Sequence, residues 1–456
     1  EAVLQLRDTL SGATRPFVPL NPDQIGIYSC GPTIYGPAHI GNFRSFLFAD
    51  LLVRWLRASG HTVRWVVNLT DIDDKIIRAA AKEGVEIRPL TDRWESVFRS
   101  DMQALRMTEP DVMPRATEHI PEQIAIVERL LEKGHAYKTE DGSIFFRIAS
   151  WPSYGTLARL DPEAMRVGER VEADEYSKDD VRDFVLWKAA KPGEPSWPSP
   201  WGEGRPGWHS ECVVMSLQLL GEGFDLHCGG ADLRFPHHEN ERAQAVALGK
   251  TFANHWMHNG FVVDTEGEKM SKSLGNVTNL LDLVEHYDPR AYRMLLLQTH
   301  YRSPVKVGQD NIDSSVKSLA NLDGFADRMT KAALPAMSAD TEVLAKFREV
   351  MDNDIDTANA MAIIFDTVRR ANIAIESGDT QVCATLATAV HEMCNALGLM
   401  LRSGDDIDAA IVERAQQLDA ARVAKDFATA DAIRIELQAA GYVVETTKAG
   451  TRVRRA

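Results

Sequence analysis

The stretch from Gln24 to Leu69 limits most sharply what this chain can fold into. QIGIYSC (24–30) reads as a short buried strand, and Gly31, Pro32, Gly36 and Pro37 mark the loop after it. A helix is predicted from about Asn42 to Ser59, where Phe43, Phe46, Leu47, Leu51, Val53 and Leu56 recur at helical spacing and Gly60 ends the run. TVRWVVNL (62–69) is a second strand. Strand, glycine-bearing loop, helix and strand in so short a span form a βαβ unit, which implies a parallel sheet with a right-handed crossover.

The rest of the chain extends that unit. Residues 90–190 alternate helical and strand-like patches and read as an insertion, about 90–200, between the halves of the sheet. Pro192, Pro195, Pro198, Pro200 and Pro206 predict an extended, rigid connection after it. GFDLHCGG (223–230) and HWMHNGFVVD (255–264) look like strands returning to the sheet. Past about residue 310, Ala-, Leu- and Met-rich segments at helical spacing run to about 402, and 407–456 reads as two helices and a strand pair around GYVVETTKAGTRV. The expected division is 1–310, 311–403 and 404–456: an α/β domain with an insertion, an α-helical bundle and a small α+β module.

At 456 residues, a single small binding module is excluded. No window approaches the roughly 18–20 apolar residues of a membrane helix, so no membrane is expected as a partner. The first ten residues lack the basic start and apolar core of a secretory signal. Cys30, Cys212, Cys228, Cys383 and Cys394 are odd in number and scattered, which argues against a disulfide framework and for a reducing cytoplasm. The formal charge of −15, from 51 basic and 66 acidic residues, excludes indiscriminate coating of nucleic acid but leaves room for local basic patches. One such patch is Lys448, Arg452, Arg454 and Arg455, with a solvated, frayed tail as the plainer reading.

Three groups of residues carry candidate chemistry. His39-Ile40-Gly41-Asn42 sits where loop becomes helix after the first strand. Free N–H groups and the helix dipole there suit phosphate, and Gly41 lets a nucleotide approach the backbone. The plainer alternative is a pair of helix caps. Lys269-Met270-Ser271-Lys272-Ser273, within the loop 267–276, pairs two lysines among small residues; such a loop can neutralise phosphate charge and then open. The alternative is an ordinary surface loop. The third group is Cys30, Cys212, His237 and Glu241. His237 and Glu241 share a helix face at i, i+4, and thiolate, imidazole and carboxylate together suit Zn²⁺. Spacing alone leaves His238 and Cys228 as competing donors. Asp71, Asp73 and Asp74 read as helix N-terminal charges rather than a metal cluster.

HIGN and KMSKS together resemble the two signatures of class I aminoacyl-tRNA synthetases. SCGPTIYGPAHIGN, NLTDIDDKII, AKPGEPSW, GRPGWHSEC, HCGGADLRFPHHENE, EGEKMSKSLGN and ARVAKDFATADAIR narrow the resemblance to the cysteinyl-tRNA synthetase family, over nearly the whole chain. It implies a Rossmann-type nucleotidyl-transferase catalytic domain and ligation of L-cysteine to cysteine tRNA through a cysteinyl-adenylate, using ATP with Mg²⁺. It also implies one Zn²⁺ per chain on Cys30, Cys212, His237 and Glu241, selecting the thiol and making a separate editing site unnecessary. His39, Asn42, Lys269 and Lys272 would stabilise phosphate charge, with Gly41, Gly230 and Asp232 beside the nucleotide. Cys30, Thr70 and Trp208 would line the amino-acid pocket, and the helical bundle and C-terminal module would read the anticodon, the basic tail touching phosphate. Two departures stand out: family members often carry a second His where this chain has Asn42, and a Trp near the chain end where it has GTRVRR. The rival readings are a ligase passing cysteine to an amino-sugar, as in mycothiol synthesis, and a non-catalytic RNA- or zinc-binding paralogue. A monomer is expected, with a dimer as the alternative.

Overall fold

The computed structural model describes residues 3–159, 182–264, 267, 286–402, 407, 409–448 and 450–455. A hairpin of β1 (Gln5–Asp8) and β2 (Ala13–Pro16) leads into β3 (Ile25–Ser29), α1 (Ile40–Ala58) and β4 (Val63–Val67). β3 and β4 pair in parallel from Ile25↔Val63 to Ser29↔Val67, the arrangement predicted from the βαβ pattern. α1 starts two residues ahead of the expected Asn42, because His39 caps it.

The chain then passes through α2 (Asp74–Glu83), α3 (Ile87–Ala104) and α4 (Ile120–Glu132). It builds a separate antiparallel sheet from β5 (Ala136–Lys138), β6 (Ile144–Phe146), β7 (Phe184–Ala189) and β8 (Gly204–Pro206). The proline-rich connection therefore ends as a strand of this sheet: β8 pairs with β7 at Trp187↔Pro206, and its main chain also pairs with Trp197. α5 (Trp208–Leu220), β9 (Leu226–Gly230), α6 (Glu239–Ala247) and β10 (His255–Asn259) return to the first sheet. Its order is β10-β9-β3-β4, all parallel. From β3 the chain moves to β4 on one side, while β9 joins on the other. The carboxyl ends of β3 and β9 thus flank a topological switch point, where such sheets bind ligands.

Period-two alternation decides which side chains reach which face. Ile25, Ile27, Trp65, Val67, Leu226, Cys228 and Met257 join α1 in one core. Tyr28, Cys30, Val66 and Trp256 join α5 in a second. Both faces are covered, as a parallel sheet requires.

Short strands β11 (Val262–Val263) and β12 (Val305–Lys306) pair in parallel beyond the main sheet. Helices Gln309–Lys331, Thr341–Asp352, Thr357–Glu376 and Thr380–Ala396 follow. They do not form a detached core: Leu322, Met351, Ile364, Leu386 and Val390 continue the cluster that holds Leu52 and Trp55 of α1. The Trp55 indole also donates to Asp352 at 3.0 Å. Each such fully buried large side chain contributes about 1.5–3 kcal/mol.

The last piece comprises helices Ala409–Val423 and Phe427–Ala439 with β13 (Tyr442–Thr447) and β14 (Gly450–Arg455), closed around Leu418, Ile433, Leu437, Val444 and Val453. The frayed-tail alternative is overturned: β14 pairs along its whole length with β13, and Val453 is buried against Val444. No helix among the described residues is long and apolar enough to cross a membrane.

Candidate metal and nucleotide site

Three segments far apart in sequence converge outside β3 and β9. Cys30 ends β3. Gly31 must be glycine, since a Cβ there would lie 1.7 Å from the Asn68 carbonyl oxygen. The two loops interlock, with Ile34 N–H donating to Thr70 O and Thr70 N–H to Pro32 O, each at 3.0 Å. Cys212 lies one turn into α5 from Trp208. His237 and His238 occupy the helical turn Arg234–His238, which runs into α6 and carries Glu241.

Cys30 Sγ and Cys212 Sγ are 3.8 Å apart, His237 Nε2 is 3.3 Å from Cys212 Sγ, and Glu241 Oε2 is 3.7 Å from Cys30 Sγ and 3.2 Å from His237 Nε2. A tetrahedral Zn²⁺ with bonds of about 2.0–2.3 Å needs edges of about 3.8 Å between sulfurs, about 3.5 Å from sulfur to nitrogen or oxygen, and about 3.3 Å from nitrogen to oxygen. The four donors fit that figure. All four residues are at most 7% exposed.

A second set, Cys30, His227, His238 and Glu241, also lies within reach of one ion. It contains a single sulfur, and His227 Nε2 meets the other carboxylate oxygen, Oε1, at 2.9 Å. That contact is a hydrogen bond which turns Oε2 toward the two thiols, the role of a residue orienting a ligand. His238 Nε2 is 3.5 Å from Cys30 Sγ, while its Nδ1 is engaged by His258 Nε2 at 2.7 Å. Cys228, the other competing donor, faces the α1 side of the sheet and enters neither set.

Burial disfavours the charged form of each donor. Burial pushes the Cys30 and Cys212 thiols and the Glu241 carboxyl up, and holds the His237 imidazole well below its ordinary value. His209, whose Nδ1 meets His237 Nδ1 at 2.9 Å, is pulled down by burial to about 3. A dication reverses the balance for the acids by supplying the charge that burial withholds. Trp208 stacks on His237 with ring centres 3.8 Å apart and planes 13° from parallel, and is 37% exposed. It therefore covers the cluster on its open side. Thr70 is buried.

Across the crevice, His39 Nδ1 accepts from Gly41 N–H at 3.0 Å, so the neutral ring carries its proton on Nε2. Capping and a nucleotide role are thus compatible: one ring nitrogen caps α1 and the other is a donor. Asn42 is exposed in the first turn. A Cβ on Gly230 would lie 2.5 Å from Asp232 Oδ1 and 3.2 Å from Ser45 Oγ, so the end of β9 abuts the start of α1. Asp232 is exposed beside it. Asp73 caps α2 through Lys75 N–H and Asp74 lies in its first turn, whereas Asp71 is buried and bonded to Thr117. Lys269 and Lys272 lie outside the described residues. Lys448 and Arg452 belong to the C-terminal module, where Arg452 stands opposite Glu445; of Arg454 and Arg455 only the backbone, in β14, is described.

Sequence reasoning missed His209, His227 and His258, which surround the donors. For His227 and His258 the signal was present in HCGG and HWMHN, where strand alternation puts His227 on the face opposite Cys228.

A catalytic-domain model described as tRNA synthetases class I (C) matches residues 16–317, and a DALR domain matches 346–402. The fold is that of solved class I synthetases: methionyl-tRNA synthetase of Mycobacterium tuberculosis with methionyl-adenylate superposes with a TM-score of 0.59 at 17% identity, over 83% of this chain and 90% of that one. The chain is a class I aminoacyl-tRNA synthetase. Cysteine–tRNA ligase of Halorhodospira halophila is 46% identical over 99% of this chain and all of that protein, and that of Pseudomonas fluorescens 43% over 98% and 99%. The chain belongs to the cysteine–tRNA ligase family.

Proposed function

We propose that this protein activates L-cysteine with ATP and Mg²⁺ and transfers it to cysteine tRNA, and that Cys30, Cys212, His237 and Glu241 hold Zn²⁺ which selects the thiol. The single observation that carries the reading is a buried tetrahedral donor set with two thiols, facing a helix N-terminus across the switch point of a parallel sheet. When bound, the ion supplies a soft Lewis-acid position for a thiolate, which a serine hydroxyl matches poorly.

The chain's own residues do the rest. Trp208 and Thr70 wall the amino-acid pocket beside Cys30. The cysteine carboxylate attacks the α-phosphorus and pyrophosphate leaves; the terminal ribose hydroxyl of the tRNA then attacks the cysteinyl carbonyl and AMP leaves. The α1 N-terminus, His39 Nε2–H and Asn42 stabilise phosphate charge, Lys269 and Lys272 add positive charge to the same phosphates, and Gly230 and Asp232 lie beside the nucleoside. No covalent enzyme intermediate is required. The division at about 310 and 403 assigns anticodon contact to the helical and C-terminal parts, with Lys448, Arg452, Arg454 and Arg455 on phosphate. Every residue invoked comes from one chain, so a monomer suffices, and both thiols must stay reduced, as in cytoplasm.

The test is pyrophosphate exchange and tRNA charging with cysteine, with serine as control. Cysteine-dependent exchange followed by charging supports the reading; exchange without charging replaces tRNA with another acceptor, and the absence of both exchange and charging overturns the reading.

A further inference from the structure

Asn68 is a fully buried amide that neither the metal set nor the pocket uses. It follows β4 directly, and its side chain reaches three segments of the site at once. Its Oδ1 accepts from Gly31 N–H at 2.9 Å, next to the ligand Cys30, and lies 3.8 Å from the ligand Cys212 Sγ. Its Nδ2 donates to Thr70 Oγ1 at 3.3 Å.

The orientation of that amide is determined by chemistry. A backbone N–H is only a donor, so the group facing Gly31 is the oxygen, and the NH₂ faces Thr70. The Thr70 hydroxyl oxygen therefore accepts, leaving its own proton to be given elsewhere. We propose that Asn68 is a positioning residue for cysteine recognition: it holds the Cys30 loop against Cys212 and makes Thr70 a donor toward the substrate. This inference rests on the function proposed above. Aspartate at 68 would keep the acceptor for Gly31 but accept from Thr70 as well, reversing the threonine's polarity with almost no change of shape. Alanine would release both ties.

The experiment uses the full-length, metal-loaded protein with Asn68→Asp, Asn68→Ala, Thr70→Val and the Asn68→Asp/Thr70→Val double variant. Pyrophosphate exchange gives KM for cysteine and for ATP, and cobalt substitution gives the ligand-field spectrum. The expected result for Asn68→Asp is a KM for cysteine raised at least about tenfold, with the KM for ATP within about twofold, since a misdirected buried hydrogen bond penalises only the ligand that it faces. In the Thr70→Val background the same change adds less than about twofold, because the residue it acts through is gone. Asn68→Ala additionally shifts the cobalt bands and speeds metal loss to a chelator. An unchanged KM for cysteine in Asn68→Asp, or effects of the two single variants that simply multiply, would overturn the proposal. If Asn68→Ala does not fold, the near-isosteric Asn68→Asp still decides. If the wild type shows no cysteine-dependent exchange, the function above falls, while Asn68→Ala cobalt bands identical to wild type would overturn the tether and shifted bands would support it.

Discussion

The two ends of the crevice are built in opposite ways. The proposed metal end assembles Cys30, Cys212, His237 and Glu241 from three distant segments, all nearly inaccessible, with His227 bonded to Glu241 and His209 against His237. The proposed nucleotide end combines the short run His39–Asn42 with Gly230 and Asp232 and is the more accessible of the two, with Asn42 and Asp232 exposed and His39 tied by one short-range cap. A group that must tell a thiol from a hydroxyl needs donors that cannot rearrange. A group that grips and releases polyphosphate needs donors that can meet it from solvent.

That asymmetry is breakable. Cys212→Ser and His237→Ala are expected to lose tightly held metal and to reduce cysteine-dependent pyrophosphate exchange by about 10³-fold or more, the cost of leaving buried partners unmatched. Metal analysis with exchange kinetics checks this, and the KM for ATP should hardly move. At the other end, His39→Ala should lower kcat about 10²-fold with metal content intact, as for loss of one charge-stabilising donor. Metal loss there would erase the contrast. Trp208→Ala falls between the ends. It uncovers His237, so the KM for cysteine should rise about tenfold while the ion stays, as read by kinetics and metal content together.

A smaller effect separates the crevice from the rest of the molecule. Burial raises the Asp101 carboxyl on α3 to about 7, and its Oδ2 has no partner. The folded state therefore holds a proton that the unfolded chain releases near pH 4. The stability this group allows is fully present below about pH 4 and falls as pH rises toward 7. Asp101→Asn should raise the melting temperature at pH 8, by up to a few kcal/mol of stability, and do little at pH 4.5. Exchange activity should be unchanged at either end of the crevice.

Local signals carried much of this architecture. The loop glycines and helical spacing of 24–69 place β3, α1 and β4 within a few residues, and GYVVETTKAGTRV announces the β13–β14 pair. That pairing also corrects the tail, because Val444 and Val453 need each other's cover. The metal set was harder to read. Which donors meet depends on β3 pairing with β9, a non-local event that spacing does not encode; strand alternation turns Cys228 to the other face, whereas His238 stays beside Cys30 in a second donor set. Asn68 is invisible in sequence for a similar reason: its partners at Gly31 and Cys212 approach only when the sheet is assembled.

The most direct measurement of the central claim is pyrophosphate exchange by the full-length protein before and after removal of its metal, with cysteine or serine. Exchange should follow cysteine alone, disappear with chelation and return with Zn²⁺. Undiminished cysteine exchange by the metal-free protein, or comparable exchange with serine, would contradict the account.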